Sequence, residues 1–243
     1  MTRSFRDRVY GSYFTGTFSS VNRPTDEAYR MHARILRQLL VPHLPADRNA
    51  RILDIACGMG NSVHALREAG YRNVQGVDIS AEQVAIAQAR GLPVEQGDLF
   101  TRLEGQEEAW DALIAFDILE HLDREELLRL FDLARVALRP GGRLIAKTAN
   151  ANSLLGPRFR YLDFTHEIIF TERSLRAALL AADLHPVWIG GERYTPFTVG
   201  GWIRWLAASL GRGLWRAYLV AELGREGVDI PLEFCLIAVA ERK

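Results

Sequence analysis

Three groups of residues in this chain have the types and spacing for chemistry. The first is Asp54 with Gly58 and Gly60, inside Arg51-Ile-Leu-Asp-Ile-Ala-Cys-Gly-Met-Gly60. Alternating apolar and polar residues run there into a turn with glycines, which reads as a buried strand opening onto a loop whose backbone can approach a ligand closely. The second is a pair of later acids, Asp78 closing Asn73-Val-Gln-Gly-Val-Asp78 and Asp98 following Gly97. A glycine loop after one strand and an acid at the tip of the next is how an α/β sheet holds a ribose. The third lies downstream, at His121 and in Arg160-Tyr-Leu-Asp163-Phe-Thr-His166-Glu167. An imidazole beside a carboxylate is poised to accept a proton near neutral pH.

These residues need a frame, and the hydrophobic pattern supplies one. Strands are expected at 52–56, 74–77, near Val94, at 112–116, 143–147, 187–189 and 234–239. Helices fall between them: from Pro24-Thr25-Asp26-Glu27 to Leu40, at 62–69, from Ser80 to Gly91, from Asp123 to Leu138 and from Thr171 onward. Ser80-Ala-Glu-Gln83 and Asp123-Arg-Glu-Glu126 have the form of capping boxes, and Pro140-Gly141-Gly142 is expected to stop the fourth of these helices. Strand and helix alternating in this way imply a Rossmann-like α/β fold, a seven-stranded, mostly parallel sheet with helices on both faces. Residues 1–45 read as an N-terminal lid and helix. Residues 46–243 read as the main domain, with a helical insertion at about 193–233. The stretch from 150 to 170 has no clear period.

Composition narrows the function classes. Lys plus Arg equals Asp plus Glu, 30 each, so a neutral chain gives no support for nucleic acid as the partner. Cys57 and Cys235 are the two cysteines, which excludes a disulfide framework or a structural zinc site and fits a reducing, cytoplasmic setting. No apolar run is long enough to suggest a membrane span, and the first ten residues lack the apolar core of a signal peptide.

The choice of ligand turns on two departures from a dinucleotide site. Where the dinucleotide fingerprint wants a third glycine, this chain has Val63. Asp54 repels a pyrophosphate, whereas a zwitterionic amino acid can present its ammonium group to that carboxylate. With these features the chain resembles the class I S-adenosylmethionine-dependent methyltransferases over about 51–147. Leu53-Asp54-Ile55-Ala56-Cys57-Gly58-Met59-Gly60 is similar to the first motif of that family, and Gly76-Val77-Asp78-Ile79-Ser80 to the second. Gly97-Asp98-Leu99 is similar to the third, Phe116-Asp117-Ile118-Leu119-Glu120-His121-Leu122 to the fourth, and Leu138-Arg-Pro-Gly-Gly142 to the turn before strand five. The resemblance implies S-adenosylmethionine as cofactor. Its contacts would be Asp54, Ala56, Gly58, Gly60, Gln83, Phe116 and Asp117, with Asp78 on the ribose hydroxyls, Asp98 on the adenine amino group, and Ile79 and Leu99 on the adenine faces.

For catalysis the expectation is His166 as general base, with Asp163 orienting it through an i, i+3 spacing in a helical turn; His121 is the alternative. No ligand spacing indicates a metal, and the nearest candidates for one would be Asp117, Asp163 and Glu167. The segment Asp163-Phe-Thr-His-Glu167, with Phe170-Thr171 and the aromatic insertion, resembles methyltransferases of polysaccharide and O-antigen biosynthesis. That implies O-methylation of a sugar hydroxyl in a glycan or lipid-linked saccharide. Two alternatives stand beside it: methylation of a quinone or other small lipid-soluble acceptor, and a non-catalytic cofactor-binding partner subunit. The segment 200–223 carries Trp202, Trp205 and Trp215 interleaved with Arg204, Arg212 and Arg216. It is expected to break at Gly211 and Gly213 into two helices. Its expected role is a contact with an anionic membrane surface, a cover over the acceptor pocket, or a homodimer seam.

Overall fold

A computed structural model of the chain describes residues 24–243; the aromatic N-terminal stretch expected to form a lid lies outside the described residues. The chain forms one seven-stranded sheet in the order β3-β2-β1-β4-β5-β7-β6. The strands are β1 (Arg51–Asp54), β2 (Asn73–Asp78), β3 (Val94–Gln96), β4 (Trp110–Phe116), β5 (Leu138–Ala149), β6 (His185–Gly191) and β7 (Cys235–Glu241). All neighbours are parallel except β7, which runs antiparallel to both β5 and β6. The helices are α1 (Asp26–Leu40), α2 (Asn61–Glu68), α3 (Ala81–Ala89), α4 (Leu99–Leu103), α5 (Arg124–Ala137), α6 (Gly156–Leu162), α7 (Glu172–Ala181) and α8 (Val199–Leu223). One apolar cluster on each face of the sheet seals it. Leu127, Phe131, Leu175 and Leu179 lie in one, and Tyr29, Leu40, Val63 and Leu66 in the other. The parallel strands end at one edge, where open α/β sheets bind ligands, and every residue singled out for chemistry follows a strand at that edge.

The caps explain where the helices start. Asp123 and Glu126 form the reciprocal box predicted for α5, and Thr171 caps α7 by accepting from the Ser174 N–H. At Ser80 only half of the predicted box forms. The Ser80 hydroxyl accepts from the Gln83 N–H, but its own N–H donates to Asp78 Oδ1, which leaves the Gln83 side chain beside the glycine loop. The Pro140 turn also differs from expectation. Helix α5 ends at Ala137, and Pro140-Gly141-Gly142 is an excursion inside β5, across which the pairing with β4 jumps from Trp110–Leu138 to Ala112–Arg143. Gly141 sits at φ 76, and a Cβ on Gly142 would lie 2.8 Å from the Arg139 carbonyl oxygen.

The insertion is one continuous helix rather than two. α8 runs through Gly211 and Gly213 for 25 residues, capped by Thr198. Each interior glycine costs about 1 kcal/mol relative to alanine, less than leaving a broken turn's backbone groups unpaired. Of its arginines, Arg212 and Arg216 are half-buried: Arg216 donates to the Gly227, Val228 and Ile230 carbonyls, and Arg212 to Ser209. The outward side is apolar, with Ile203, Leu206, Leu210 and Leu214 exposed. Among the described residues no helix is long and apolar enough to cross a membrane.

The irregular stretch after β5 is closed at its base by Asn150. That residue is fully buried and donates to the Pro231 and Glu233 carbonyls at 2.9 and 2.7 Å, while Ala151 N–H reaches the Phe170 carbonyl. Within the loop so closed lies α6, whose existence the polar and aromatic sequence did not signal. Replacing Asn150 by alanine strips two buried carbonyls of their donor, at a cost of about 2–3 kcal/mol. Thermal unfolding of Asn150→Ala should therefore begin roughly 5–10 °C lower than wild type; an unchanged midpoint would show that the loop is closed by something else.

Candidate active site

The glycine loop follows β1 directly. Asp54 is the last residue of that strand, so its carboxyl stands at the sheet edge. Gly58 and Gly60 adopt φ of 53 and 77, a backbone region that L side chains rarely occupy. The room that a dinucleotide site takes from its third glycine comes here from Gly76 on the neighbouring strand. A Cβ on Gly76 would lie 2.6 Å from Cys57 Sγ and 3.1 Å from Val63 Cγ2, so the glycine accepts both the loop and the buried Val63. Helix α1 braces the loop from above. The Tyr29 hydroxyl donates to the Met59 carbonyl at 2.6 Å, and the Arg90 guanidinium lies 3.9 Å from the centre of the Tyr29 ring.

Each acid of the set has a defined setting. Asp78 accepts from the Gly58 N–H at 2.7 Å with one oxygen and from the Ser80 N–H at 2.8 Å with the other. Burial raises its pKa, and these two N–H groups oppose the rise. Each oxygen keeps a second lone pair for a ribose hydroxyl. Asp98 spends Oδ1 on capping α4 through the Phe100 and Thr101 N–H groups, leaving Oδ2 for another donor. Ile79 is 45% exposed at the mouth of the same groove, whereas Leu99 is buried. Asp117 sits at φ 55 and forms an ion pair with Lys147 at 2.8 Å, under Phe116. Burial alone would lower the Lys147 pKa; Asp117 and Glu192 outweigh it and raise it.

Asp54 carries the plainest sign of an absent partner. It is buried, and its Oδ1 accepts no hydrogen bond. Burial pushes its carboxyl up to about 7, against the Ser62 side chain and the Ala56 N–H, and the charges of Asp78 and Asp117 add to the rise. Two more buried polar atoms without partners lie nearby in the chain's fold: Asn61 Oδ1 just past the loop, and Nδ1 of His32, a ring that interacts with Asn61. Burial lowers the His32 pKa, so the ring is neutral at pH 7. Neither residue stood out in the sequence, because His32 is a lone histidine in a helix and its partner is 29 residues away. The residues present fit S-adenosylmethionine: an unsatisfied carboxylate for its ammonium, a glycine cradle, and Asp78 and Asp98 with lone pairs to spare. When bound, that group supplies an electrophilic methyl carbon on a sulfonium.

Past β4 and β5 the second part of the site assembles. The Glu120 carbonyl accepts from the Glu167 and Ile168 N–H groups at 2.7 and 3.3 Å, which staples the two post-strand segments together. His121 and His166 thereby meet, ring centres 4.7 Å apart and planes at 73°. The expected Asp163–His166 pair is not formed. His166 Nδ1 donates to the Phe159 carbonyl at 2.8 Å, and Phe159 stacks on its ring. Asp163 closes α6 in extended backbone, outside any helical turn, and accepts from both the N–H and the hydroxyl of Thr165 at 2.8 and 2.7 Å. The Thr165 oxygen in turn faces His121 Nδ1 at 2.7 Å, so Asp163 acts on His121 through Thr165. Glu120 is buried with the Thr148 hydroxyl donating to it at 2.7 Å; burial and the Asp117 charge push its carboxyl up to about 8. An open cavity of about 420 Å³ adjoins this cluster, lined by Arg160, Tyr161, Asp163, Phe164, His166 and Glu167.

A family model described as a methyltransferase domain matches residues 25–187, two thirds of the chain. The chain belongs to the class I S-adenosylmethionine-dependent methyltransferases. A ubiquinone biosynthesis O-methyltransferase of Methylocella silvestris is 30% identical over 191 residues, spanning 68% of this chain and 72% of that one. Its counterpart from Bordetella avium is 28% identical, over 61% and 67% of the two chains. A SAM-dependent methyltransferase from Archaeoglobus fulgidus has the same fold, with a TM-score of 0.67 at 20% identity over 94% of this chain and 99% of that one. The methyltransferase family gives the sulfonium cofactor, and the geometry gives its protonation chemistry. With Asp54 near pKa 7 in the free protein, an arriving ammonium draws the carboxyl into its charged form. Binding of the demethylated cofactor at pH 6 should therefore release close to one proton, falling toward zero by pH 8, and affinity should rise with pH through 7. Calorimetry in two buffers of different ionisation enthalpy measures this; release at pH 6 that persists in Asp54→Asn would assign the proton elsewhere.

Proposed function

We propose that this methyltransferase moves the methyl group of S-adenosylmethionine to a hydroxyl oxygen, most directly a sugar hydroxyl of a glycan or lipid-linked saccharide. The observation that carries the reading is the buried His121–His166 pair opening on the polar cavity at the sheet's carboxyl edge. A hydroxyl has a proton to lose on the way to an ether, and imidazole Nε2 is a base matched to that task near neutral pH. Since His166 Nδ1 donates to a carbonyl, its neutral ring keeps the lone pair on Nε2. The cavity's lining of Arg160, Asp163 and Glu167 beside Tyr161 and Phe164 suits a polyhydroxylated ring, which offers donors and acceptors around an apolar face. The exposed apolar side of α8 would hold the enzyme near a membrane interface, where a lipid-linked acceptor resides.

A quinol acceptor is the second reading. It is favoured by the names of the curated relatives and by the exposed Leu154, Leu155, Leu162 and Phe164 around the cavity. The two readings share a hydroxyl acceptor and the same reacting centre. On either acceptor, His166→Ala should lower turnover about a hundredfold or more with cofactor binding unchanged; a loss under threefold would remove His166 from the chemistry. Flotation with liposomes tests the membrane contact: wild type should float, and Leu210→Glu with Leu214→Glu should stay in the soluble fraction. Wild type remaining soluble would dismiss it.

A further inference from the structure

We propose that Glu120, His121 and His166 form a binding site for one divalent transition-metal ion, with coordination positions left open for the acceptor's oxygens. One ligand atom from each of the three residues lies within 4.8 Å of the others. A metal such as zinc bonds imidazole nitrogen and carboxylate oxygen at about 2.0–2.2 Å, so its ligands stand roughly 3–4 Å apart and small side-chain rotations close the set. The sequence pointed instead to Asp117, Asp163 and Glu167. Of these, Asp117 is drawn to Lys147 and Asp163 to Thr165, while the residues that converge are the neighbours of all three.

The outer contacts favour this assignment over simple packing of two histidines. Metal-bound imidazoles characteristically donate their second N–H to a carbonyl or carboxylate, which fixes the ring and its tautomer. His166 donates Nδ1–H to the Phe159 carbonyl. His121 presents Nδ1 to Thr165, whose hydroxyl proton is committed to Asp163, so the imidazole is the donor of that pair. Both rings thus carry their ligand lone pair on Nε2 when neutral. The carboxylate is oriented too, by the Thr148 hydroxyl. Glu120, Thr165 and His166 are 1%, 2% and 6% exposed, so the ligands are held away from bulk water. Two imidazoles and one carboxylate select manganese, iron, cobalt or zinc over magnesium and calcium, which prefer oxygen alone.

Three protein ligands leave room for one or two oxygens of a hydroxylated acceptor. A hydroxyl bound to the cation gives up its proton to solvent more readily. Its oxygen then forms the C–O bond to the methyl carbon while the S–C bond breaks with its electron pair on sulfur. This role rests on the hydroxyl-acceptor reading above, but occupancy of the site does not.

The test uses the full chain, stripped by dialysis against chelator and titrated with Co²⁺ followed by visible absorption and with Zn²⁺ by calorimetry. The expected result is one ion per chain for wild type and for His185→Ala, a control histidine at the opposite edge of the sheet. Affinity should fall at least about tenfold in His166→Ala and Glu120→Gln, and also in Thr165→Ala, which keeps every ligand and loses an outer contact. Binding of the demethylated cofactor to each variant reports that the fold survives. Wild type with no saturable site, or with binding untouched in both His166→Ala and Glu120→Gln, would overturn the proposal. Methyl transfer to a hydroxyl that continues in stripped enzyme would overturn the cation's role while upholding the acceptor reading; cation binding in an enzyme that methylates no hydroxyl compound would uphold the site and remove that reading.

Discussion

The carboxylate of Asp78 is the contact on which the cofactor half of this enzyme depends. It stands at the end of β2 and accepts simultaneously from Gly58 in the loop after β1 and from Ser80 at the start of α3. One side chain thus fixes the distance between two loops that the sheet alone leaves independent. The arrangement works because the strands beneath are packed to match. Gly76 clears space for Cys57 and Val63, and Tyr29 of α1 ties the loop from the other side through the Met59 carbonyl. A charged-state acceptor bonded to backbone N–H groups is among the stronger hydrogen-bonding arrangements available, so the loop is held in shape before any ligand arrives. Asp54, by contrast, is left buried with an unsatisfied oxygen, a cost that only a cationic partner relieves.

The acceptor half is organised by a backbone contact. The Glu120 carbonyl joins the turn after β4 to the segment after α6, and Asn150 closes the loop that carries α6. Together these bring His121 and His166 ring to ring although 45 residues separate them. Asp163, Thr165 and Phe159 then set the ring orientations. The reacting centre is therefore built on the ends of two neighbouring parallel strands, with each half held by its own backbone-directed polar contacts.

The parts legible in the sequence were those decided locally. The strand–helix alternation, the Asp123–Glu126 and Thr171 caps, and the Gly58–Gly60 turn follow from period, side-chain capping and positive φ, all properties of a few adjacent residues. The parts that were not legible depend on distant partners. Asp163 and His166 have helical spacing, but α6 stops at Leu162 and the extended backbone beyond turns Asp163 onto Thr165. Gly211 and Gly213 look like helix breakers, yet the helix that contains them continues because Thr198 caps its start and Arg216 anchors its far half. That same anchoring turns Arg212 and Arg216 inward, so the outer face is apolar rather than basic. His32, Asn61 and Glu120 gave no signal because their roles exist only once α1, the glycine loop and β5 are in contact.

The central claim is that the Asp54–Gly58–Gly60–Asp78 constellation is the sulfonium-cofactor site. Calorimetric titration of the chain with S-adenosylhomocysteine tests it most directly, run on wild type and on Asp78→Ala with circular dichroism to verify the fold. The account predicts one saturable site per chain in wild type and none detectable in the folded variant. A wild type that does not bind, or a variant that binds within threefold of it, would contradict the account.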